Sequence, residues 1–164
     1  MQKMKELEYG FTVDKHNNTI TIIREYDAPL EKVWKAWTTS EMLDQWWGPK
    51  PWRAITKSLD FREGGHWHYS MNGPEGEVQW GKFDYLTIEP NESFTGKDGF
   101  SDENGTLDTT LPQNHWELRM SQTGNTVMVD MLLTFEKAED IDTYIDMGFR
   151  EGITQTLDQL EEIL

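Results

Sequence analysis

The C-terminal stretch Glu139–Leu164 carries a regular alternation of apolar and polar positions. Apolar residues recur there at spacings of three, four and seven, which places a single apolar stripe on one face of a helix. The stripe consists of Ile141, Tyr144, Ile145, Phe149, Ile153, Leu157, Leu160 and Leu164. Acidic residues occupy the other faces. The pattern therefore predicts one continuous amphipathic helix over Glu139–Leu164.

Two glycines lie beside this stripe, at Gly148 and Gly152. Each glycine destabilises a helix interior by about 1 kcal/mol relative to alanine. A helix with two glycines on its buried side either lets a sheet approach closely or leaves space beneath itself. The pair therefore marks the place where a cavity under the helix is expected.

The N-terminal part of the chain predicts a strand followed by two short helices. Thr19–Tyr26 is β-branched and alternating, as in a strand. Pro29 suits a first helical position, and a helix is expected from there to about Thr38. A second short helix begins at Thr39 or Ser40 and ends before the Gly-Pro-Lys-Pro run that starts at Gly48. Residues 1–18 are expected to form an extension in which Phe11 and Val13 could make a short edge strand.

The middle of the chain, from Trp52 to Phe135, alternates strand-like runs with turn signals. The predicted strands are Ile55–Arg62, His66–Met71, Val78–Ile88, Phe94–Phe100, His115–Ser121 and Thr126–Phe135. A run of strands beside segregated helices is typical of an α+β domain. We therefore predict a single domain over residues 19–164, a helix-grip fold whose curved antiparallel sheet wraps around the C-terminal helix.

Composition narrows the possible partners and compartment. The formal net charge is -15 at pH 7, so duplex nucleic acid and anionic membranes are expected to be repelled. The chain has no cysteine, which excludes a disulfide framework and a thiol nucleophile. No signal peptide and no membrane-spanning apolar run is recognisable. These features favour a cytoplasmic protein, a monomer or a weak dimer.

Five short motifs, in order along the chain, resemble a known family. They are Ala28-Pro29 with Val33-Trp34, Trp46-Trp47-Gly48-Pro49, Asp60-Phe61-Arg62-Glu63-Gly64-Gly65, Tyr85-Leu86-Thr87-Ile88-Glu89-Pro90, and Met147-Gly148-Phe149-Arg150-Glu151-Gly152 running into Leu157-Asp158-Gln159-Leu160. From Thr19 to Leu164 the chain resembles the SRPBCC superfamily (START-like, birch-pollen-allergen-like). Within it, the chain is similar to homologues of the activator of the heat-shock-protein-90 ATPase.

The resemblance implies a hydrophobic cavity between the long helix and the concave sheet. It implies no universal catalytic residue, because the superfamily includes lipid carriers, cyclases and many uncharacterised proteins. The eukaryotic co-chaperone of this family has a separate N-terminal domain that binds the chaperone. A chain of 164 residues is not expected to accommodate that domain.

Candidate catalytic and metal-binding residues are few. His66 and His68 alternate along a strand and could grip a metal, but inward-facing Trp67 and Tyr69 predict that both histidines face solvent. No serine lies in a nucleophile-elbow motif and no glycine-rich phosphate loop is present. Asp130 is predicted to point outward. We therefore predict no catalytic residue, no metal site and no cofactor.

The aromatic residues of the strands are the remaining signal for a site. Facing the two glycines of the helix, they can form a slot lined by rings and backbone. The predicted ligand-binding residues are Trp67, Tyr69, Phe83, Tyr85, Phe100, Trp116, Gly148, Phe149 and Gly152. The Trp46-Trp47-Gly48-Pro49 run is expected to close one end of the core. The alternative for each aromatic residue is that it simply fills the core.

Three functions are compatible with these features. The first is binding of a small hydrophobic or aromatic ligand in the cavity. The second is an enzyme of the cyclase or hydrolase type, which requires an ionisable group that projects into the cavity. The third is a chaperone-ATPase regulator or stress-response interaction protein, which requires an exposed docking patch. The sequence ranks them in this order.

Overall fold

The computed structural model describes residues 10–164, which form eight strands and four helices. In chain order these are β1 (Phe11–Asp14), β2 (Thr19–Tyr26), α1 (Leu30–Thr38), α2 (Ser40–Trp46), β3 (Arg53–Leu59), β4 (His66–Asn72), β5 (Val78–Glu89), β6 (Ser93–Ser101), β7 (Asn114–Thr123), β8 (Thr126–Phe135), α3 (Ala138–Asp146) and α4 (Phe149–Ile163). The strands make one curved antiparallel sheet in the order β1-β2-β8-β7-β6-β5-β4-β3. The predicted α+β helix-grip fold is confirmed.

Buried and exposed side chains alternate along the central strands, and the buried ones form the inner face of the sheet. Every second residue of β8, including Val127, Val129, Met131 and Leu133, is fully buried. In β7 the same alternation buries Leu118, which pairs with Met131 across the two strands. Because side chains alternate between the two faces of a strand, this pattern fixes which side carries the core.

The two short helices pack their apolar residues inward. The α1 helix buries Val33, Ala36 and Trp37. The α2 helix buries Trp46, whose indole nitrogen Nε1 donates a hydrogen bond to the backbone oxygen of Ala36 at 2.9 Å. This bond satisfies the polar atom of a tryptophan that is 1% exposed. The pair of helices thus forms one rigid wall of the core.

The single C-terminal helix predicted over Glu139–Leu164 is wrong, because the structure divides it in two. The α3 helix ends at Asp146 and α4 begins at Phe149. Between them Gly148 has a φ of +86°, a left-handed conformation that terminates a helix and that glycine adopts without a Cβ clash. Its amide donates to the backbone oxygen of Ile145 at 3.0 Å. The first glycine therefore redirects the chain and is not part of a helix interior.

The strand β1 belongs to the sheet. It pairs antiparallel with β2, and Phe11 lies opposite Ile22. Residues 1–9 of the predicted N-terminal extension lie outside the described residues. Within residues 10–164, no helix combines the length and the hydrophobicity that a membrane span needs.

Candidate functional site

A cavity of about 250 Å³ lies beneath the start of α4, and we call it the α4 cavity. Strands β4, β5 and β6 form its floor, helices α3 and α4 its roof, and the loop after α2 one end. It is lined by Trp47, Gly48, Pro49, Tyr69, Met71, Gln79, Phe100, Tyr144, Met147, Gly148, Phe149, Gly152, Ile153 and Thr156. The lining is dominated by aromatic rings and aliphatic groups.

Missing side chains leave this space open. Apart from its own chain neighbours and helix backbone, a Cβ placed on Gly152 would meet only Pro49 among residues 10–164, with its Cγ at 3.7 Å. A Cβ on Gly148 would meet no described residue beyond its chain neighbours within 4 Å. On the floor, a Cβ at Gly81 would lie 2.8 Å from the ring carbon Cζ of Tyr69. Gly81 therefore lets the Tyr69 ring lie flat on the sheet, and the glycines of the roof leave room above it.

A second, smaller space lies deeper in the core and is called here the aromatic pocket. Its volume is about 20 Å³. It is lined by Trp37, Leu43, Trp47, Trp67, Phe83, Tyr85, Phe94, Asp98 and Trp116. A space of this size holds about one water molecule. Tryptophan rings have filled this half of the core.

Trp47 is the wall that the two spaces share. Its ring centroid lies 5.5 Å from that of Trp67 and 6.4 Å from that of Trp116, with steep angles between the planes. Such edge-to-face contacts between indole rings are favourable and hold the ring in place. Trp47 therefore sets how far the α4 cavity extends into the core.

The structure divides the nine predicted site residues between these two spaces. Tyr69, Phe100, Gly148, Phe149 and Gly152 line the α4 cavity. Trp67, Phe83, Tyr85 and Trp116 line the aromatic pocket. The expected wall of the cavity is thus only partly made of the expected residues. Tyr144, which the sequence marked as a stripe residue of the helix, joins the lining instead of Tyr85.

Asp98 is an acid that faces the core and that the sequence analysis missed. It shares its phase on β6 with Phe94 and Phe100, and its carboxylate lines the aromatic pocket. Burial raises the pKa of the Asp98 carboxyl to about 7, and hydrogen bonding by its cross-strand neighbour Asn114 opposes the rise. The alternation of Phe94, Asp98 and Phe100 was the signal that could have identified it.

The Asn114 side chain connects the sheet to the α4 cavity. Its Nδ2 donates to the hydroxyl oxygen of Tyr144 at 2.9 Å. Burial first, and then the negative charge of Asp98, raise the pKa of the Tyr144 hydroxyl well above its ordinary value. The same two causes raise the pKa of Tyr69, although a hydrogen bond from Trp47 opposes the rise. Both cavity tyrosines therefore remain protonated and neutral at physiological pH.

The predicted solvent exposure is wrong for His68, which is 5% exposed. It does face away from the core, but the loop that follows β6 covers it. One ring nitrogen lies 3.0 Å from the backbone oxygen of Asp102, and the ring packs on Trp80 at 5.0 Å between centroids. His66 is half-buried and contacts Ser58 at 2.8 Å. Among the described residues, no three metal-ligating side chains are grouped to hold an ion.

A larger groove of about 790 Å³ lies outside the core, between the loop before β7 and helix α3. Polar and charged groups such as Lys97, Thr110 and Asp140 make up most of its lining. Apolar pockets with a few convergent polar groups are the usual small-molecule sites. The α4 cavity meets that description better than the groove does, despite its smaller volume.

Comparison with known proteins agrees with this geometry. The sequence matches the family model described as Activator of Hsp90 ATPase homolog 1-like protein over residues 27–164. Comparison with curated proteins gives no match.

Solved structures share the fold over nearly the whole chain. Protein Ms6760 from Mycobacterium smegmatis is 28% identical, with a TM-score of 0.87 and coverage of 94% of this chain and 95% of that one. A protein from Arthrobacter aurescens is 29% identical, with a TM-score of 0.88 and coverage of 94% and 90%. A protein from Staphylococcus epidermidis is 28% identical, with a TM-score of 0.82 and coverage of 93% of both chains. Since the family model covers most of the sequence, the chain belongs to the family of Activator of Hsp90 ATPase homolog 1-like proteins.

Proposed function

We propose that this protein binds a small hydrophobic or aromatic molecule in the α4 cavity. The observation that carries the proposal is the cavity itself, with its volume of about 250 Å³ between aromatic walls. An apolar cavity of about 150 Å³ is large enough to bind benzene. The α4 cavity is therefore suited to one substituted ring.

The chemistry of the lining supports an apolar ligand. The rings of Tyr69, Phe100, Tyr144 and Phe149 offer flat surfaces for stacking and edge contacts. Hydroxyl groups of the two tyrosines and of Thr156 supply a few polar contacts that can orient a ligand.

The rim of the cavity offers a route of entry. Met147 lines the cavity at the break between α3 and α4, and it is 49% exposed. Methionine is flexible and adapts its shape to apolar surfaces. The exposed side chain of Met147 can therefore move aside at the cavity entrance and let a ligand pass.

The position of Asp98 favours binding over catalysis. An enzyme of the cyclase or hydrolase type needs an ionisable group in contact with the reacting molecule. Asp98 lines the aromatic pocket and is not among the described residues that line the α4 cavity.

The test is a titration of the ¹⁵N-labelled protein with toluene, indole and cumene, followed by NMR. We expect saturable shifts at Tyr69, Phe100, Phe149 and Gly152. A protein that shows no saturable shift with any one-ring compound would contradict the proposal.

A pair of variants makes this test specific to the cavity. Gly152→Leu places a side chain in the space beneath α4, and it is expected to abolish binding while the protein stays folded. Thr154→Leu adds a similar side chain on the exposed side of the same helix, and it should leave binding unchanged. Equal affinity in the two variants would place the ligand somewhere other than the α4 cavity.

A further inference from the structure

Two tyrosine side chains line the α4 cavity from opposite sides. Tyr69 comes from β4 in the floor, and Tyr144 comes from α3 in the roof. Both residues are buried, with 8% and 6% of their surface exposed. Tyr69 is held in place by stacking on Trp67, with 4.0 Å between the ring centroids. The two hydroxyls therefore have fixed positions in the cavity wall.

Each of these hydroxyls has a proton available for a bound molecule. A phenol oxygen accepts hydrogen bonds on its lone pairs and donates through its O–H. The Tyr144 oxygen accepts from Asn114 Nδ2 at 2.9 Å, which leaves its own proton to donate. The Trp47 indole beside Tyr69 carries only an N–H donor, so it cannot accept the proton of the Tyr69 hydroxyl. Within residues 10–164, no acceptor receives either hydroxyl proton.

The electrostatic environment selects against an anionic acceptor. Among the described residues that line the α4 cavity, none is a lysine, an arginine or a histidine. The charge of Asp98 acts on both tyrosines, since it raises the pKa of each. A carboxylate ligand would therefore be repelled and would find no basic partner in the lining, whereas a neutral acceptor avoids both costs.

We infer that the α4 cavity recognises the carbonyl oxygen of a small neutral aromatic molecule, to which the hydroxyls of Tyr69 and Tyr144 donate hydrogen bonds. The ligand class is a one-ring ketone, aldehyde or ester. This inference rests on the proposed function, because it names the ligand of the same cavity. It adds a polar recognition element to what would otherwise be an apolar site.

Three compounds of equal size test the inference. Acetophenone, cumene and benzoate share a benzene ring and have the same number of non-hydrogen atoms, but they carry a carbonyl, an aliphatic group and a carboxylate. Acetophenone is expected to bind about tenfold more tightly than cumene, and more tightly than benzoate, by NMR titration. Its carbonyl stretching band should move to lower frequency on binding, as expected for a hydrogen-bonded carbonyl.

Conservative variants assign the effect to the two hydroxyls. Tyr69→Phe and Tyr144→Phe should each weaken acetophenone binding severalfold and leave cumene binding unchanged, and the double variant should bind the two compounds equally. Tyr85→Phe is the matched control, because Tyr85 is buried in the aromatic pocket and should not affect either compound. Unchanged cumene binding also shows that each variant keeps its fold.

The outcomes separate this inference from the proposed function. If acetophenone and cumene bind equally to the unmodified protein, or if benzoate binds most tightly, carbonyl recognition is overturned and the apolar cavity stands. If none of the three compounds binds, both proposals are wrong. If acetophenone is preferred and Tyr85→Phe alone removes the preference, the carbonyl lies elsewhere and the assignment to Tyr69 and Tyr144 is overturned.

Discussion

The side-chain amide of Gln159 on α4 donates a hydrogen bond to the backbone oxygen of Gly48 at 2.8 Å. The same nitrogen donates to the backbone oxygen of Trp46 at 3.0 Å, and the side-chain oxygen accepts from the amide of Lys50 at 2.9 Å. Gln159 is 7% exposed. One buried side chain thus fastens the loop after α2 to the C-terminal helix, and this loop supplies Trp47, the shared wall of the two spaces.

Replacement of Gln159 by leucine should therefore destabilise the protein. The change removes four hydrogen bonds, one of them from the side chain of Gln155 at 3.3 Å, and leaves buried backbone groups without partners. It should therefore lower the free energy of unfolding by roughly 2–4 kcal/mol. Urea denaturation measures the loss. Gln155→Leu is the comparison variant, because Gln155 is exposed and its side-chain nitrogen donates to the backbone oxygen of Lys50 at 3.0 Å and to the side-chain oxygen of Gln159 at 3.3 Å. Equal losses in both variants would contradict the special role of Gln159.

The two glycines of the C-terminal region should respond to alanine in opposite directions. Gly148→Ala forces a Cβ into the left-handed conformation and should lower the free energy of unfolding by about 1–2 kcal/mol. Gly152→Ala replaces a glycine inside α4 by a better helix former and should raise the free energy of unfolding by up to about 1 kcal/mol. The new Cβ has room, because the nearest contact among the described residues is Pro49 at 3.7 Å. Thermal unfolding of both variants measures the difference. Changes of the same sign would contradict the structure.

Asp98 should make stability depend on pH. Its pKa is about 7 in the folded protein and 3.8 without the fold, so the folded state holds more protons between these values. The free energy of unfolding should therefore fall as pH rises from about 4 to about 7, and change no further above that from this group. Asp98→Asn removes the ionisable carboxyl, and this variant should be more stable than the parent by roughly 2 kcal/mol at pH 8. This gain is smaller than the full pKa shift of Asp98 implies, because the residue is partly exposed.

Comparison at two pH values isolates this effect. At pH 4 the carboxyl is largely protonated in the folded protein, so the advantage of Asp98→Asn should be smaller than at pH 8. Asp130→Asn is the control, because Asp130 lies on the outer face of β8. An advantage of Asp98→Asn that is the same at both pH values would show that the carboxyl of Asp98 does not titrate in this range.

Removal of the Trp47 ring should join the two spaces. Trp47→Leu shortens the wall between the α4 cavity and the aromatic pocket, so a two-ring compound such as naphthalene should gain affinity relative to toluene. Loss of the large, partly buried ring should also lower the free energy of unfolding by about 2–4 kcal/mol. Trp34→Leu is the matched control, because Trp34 packs against Phe61 and lines neither space. An unchanged ratio of the two affinities in Trp47→Leu would contradict the role of Trp47 as a partition.

Periodicity along the sequence determines which segments form strands and helices and which of their faces are buried. Strand residues alternate with a period of two and helical residues with a period near 3.6, because backbone geometry alone sets the direction of successive side chains. This is why the strand over Thr126–Phe135 and the buried stripe of α4 were predicted from the sequence. The family motifs depend on the same local information.

Tertiary structure decided what each buried face meets. The sequence around Gly148 is compatible both with a helix interior and with a helix end. The packing of α3 and α4 selects the left-handed conformation. The exposure of His68 depends on a loop that is distant from it along the chain. Likewise, the division between an open cavity and a filled pocket depends on where the Trp47 ring packs. Sequence patterns report which residues turn inward, but close packing among distant residues determines the space that remains between them.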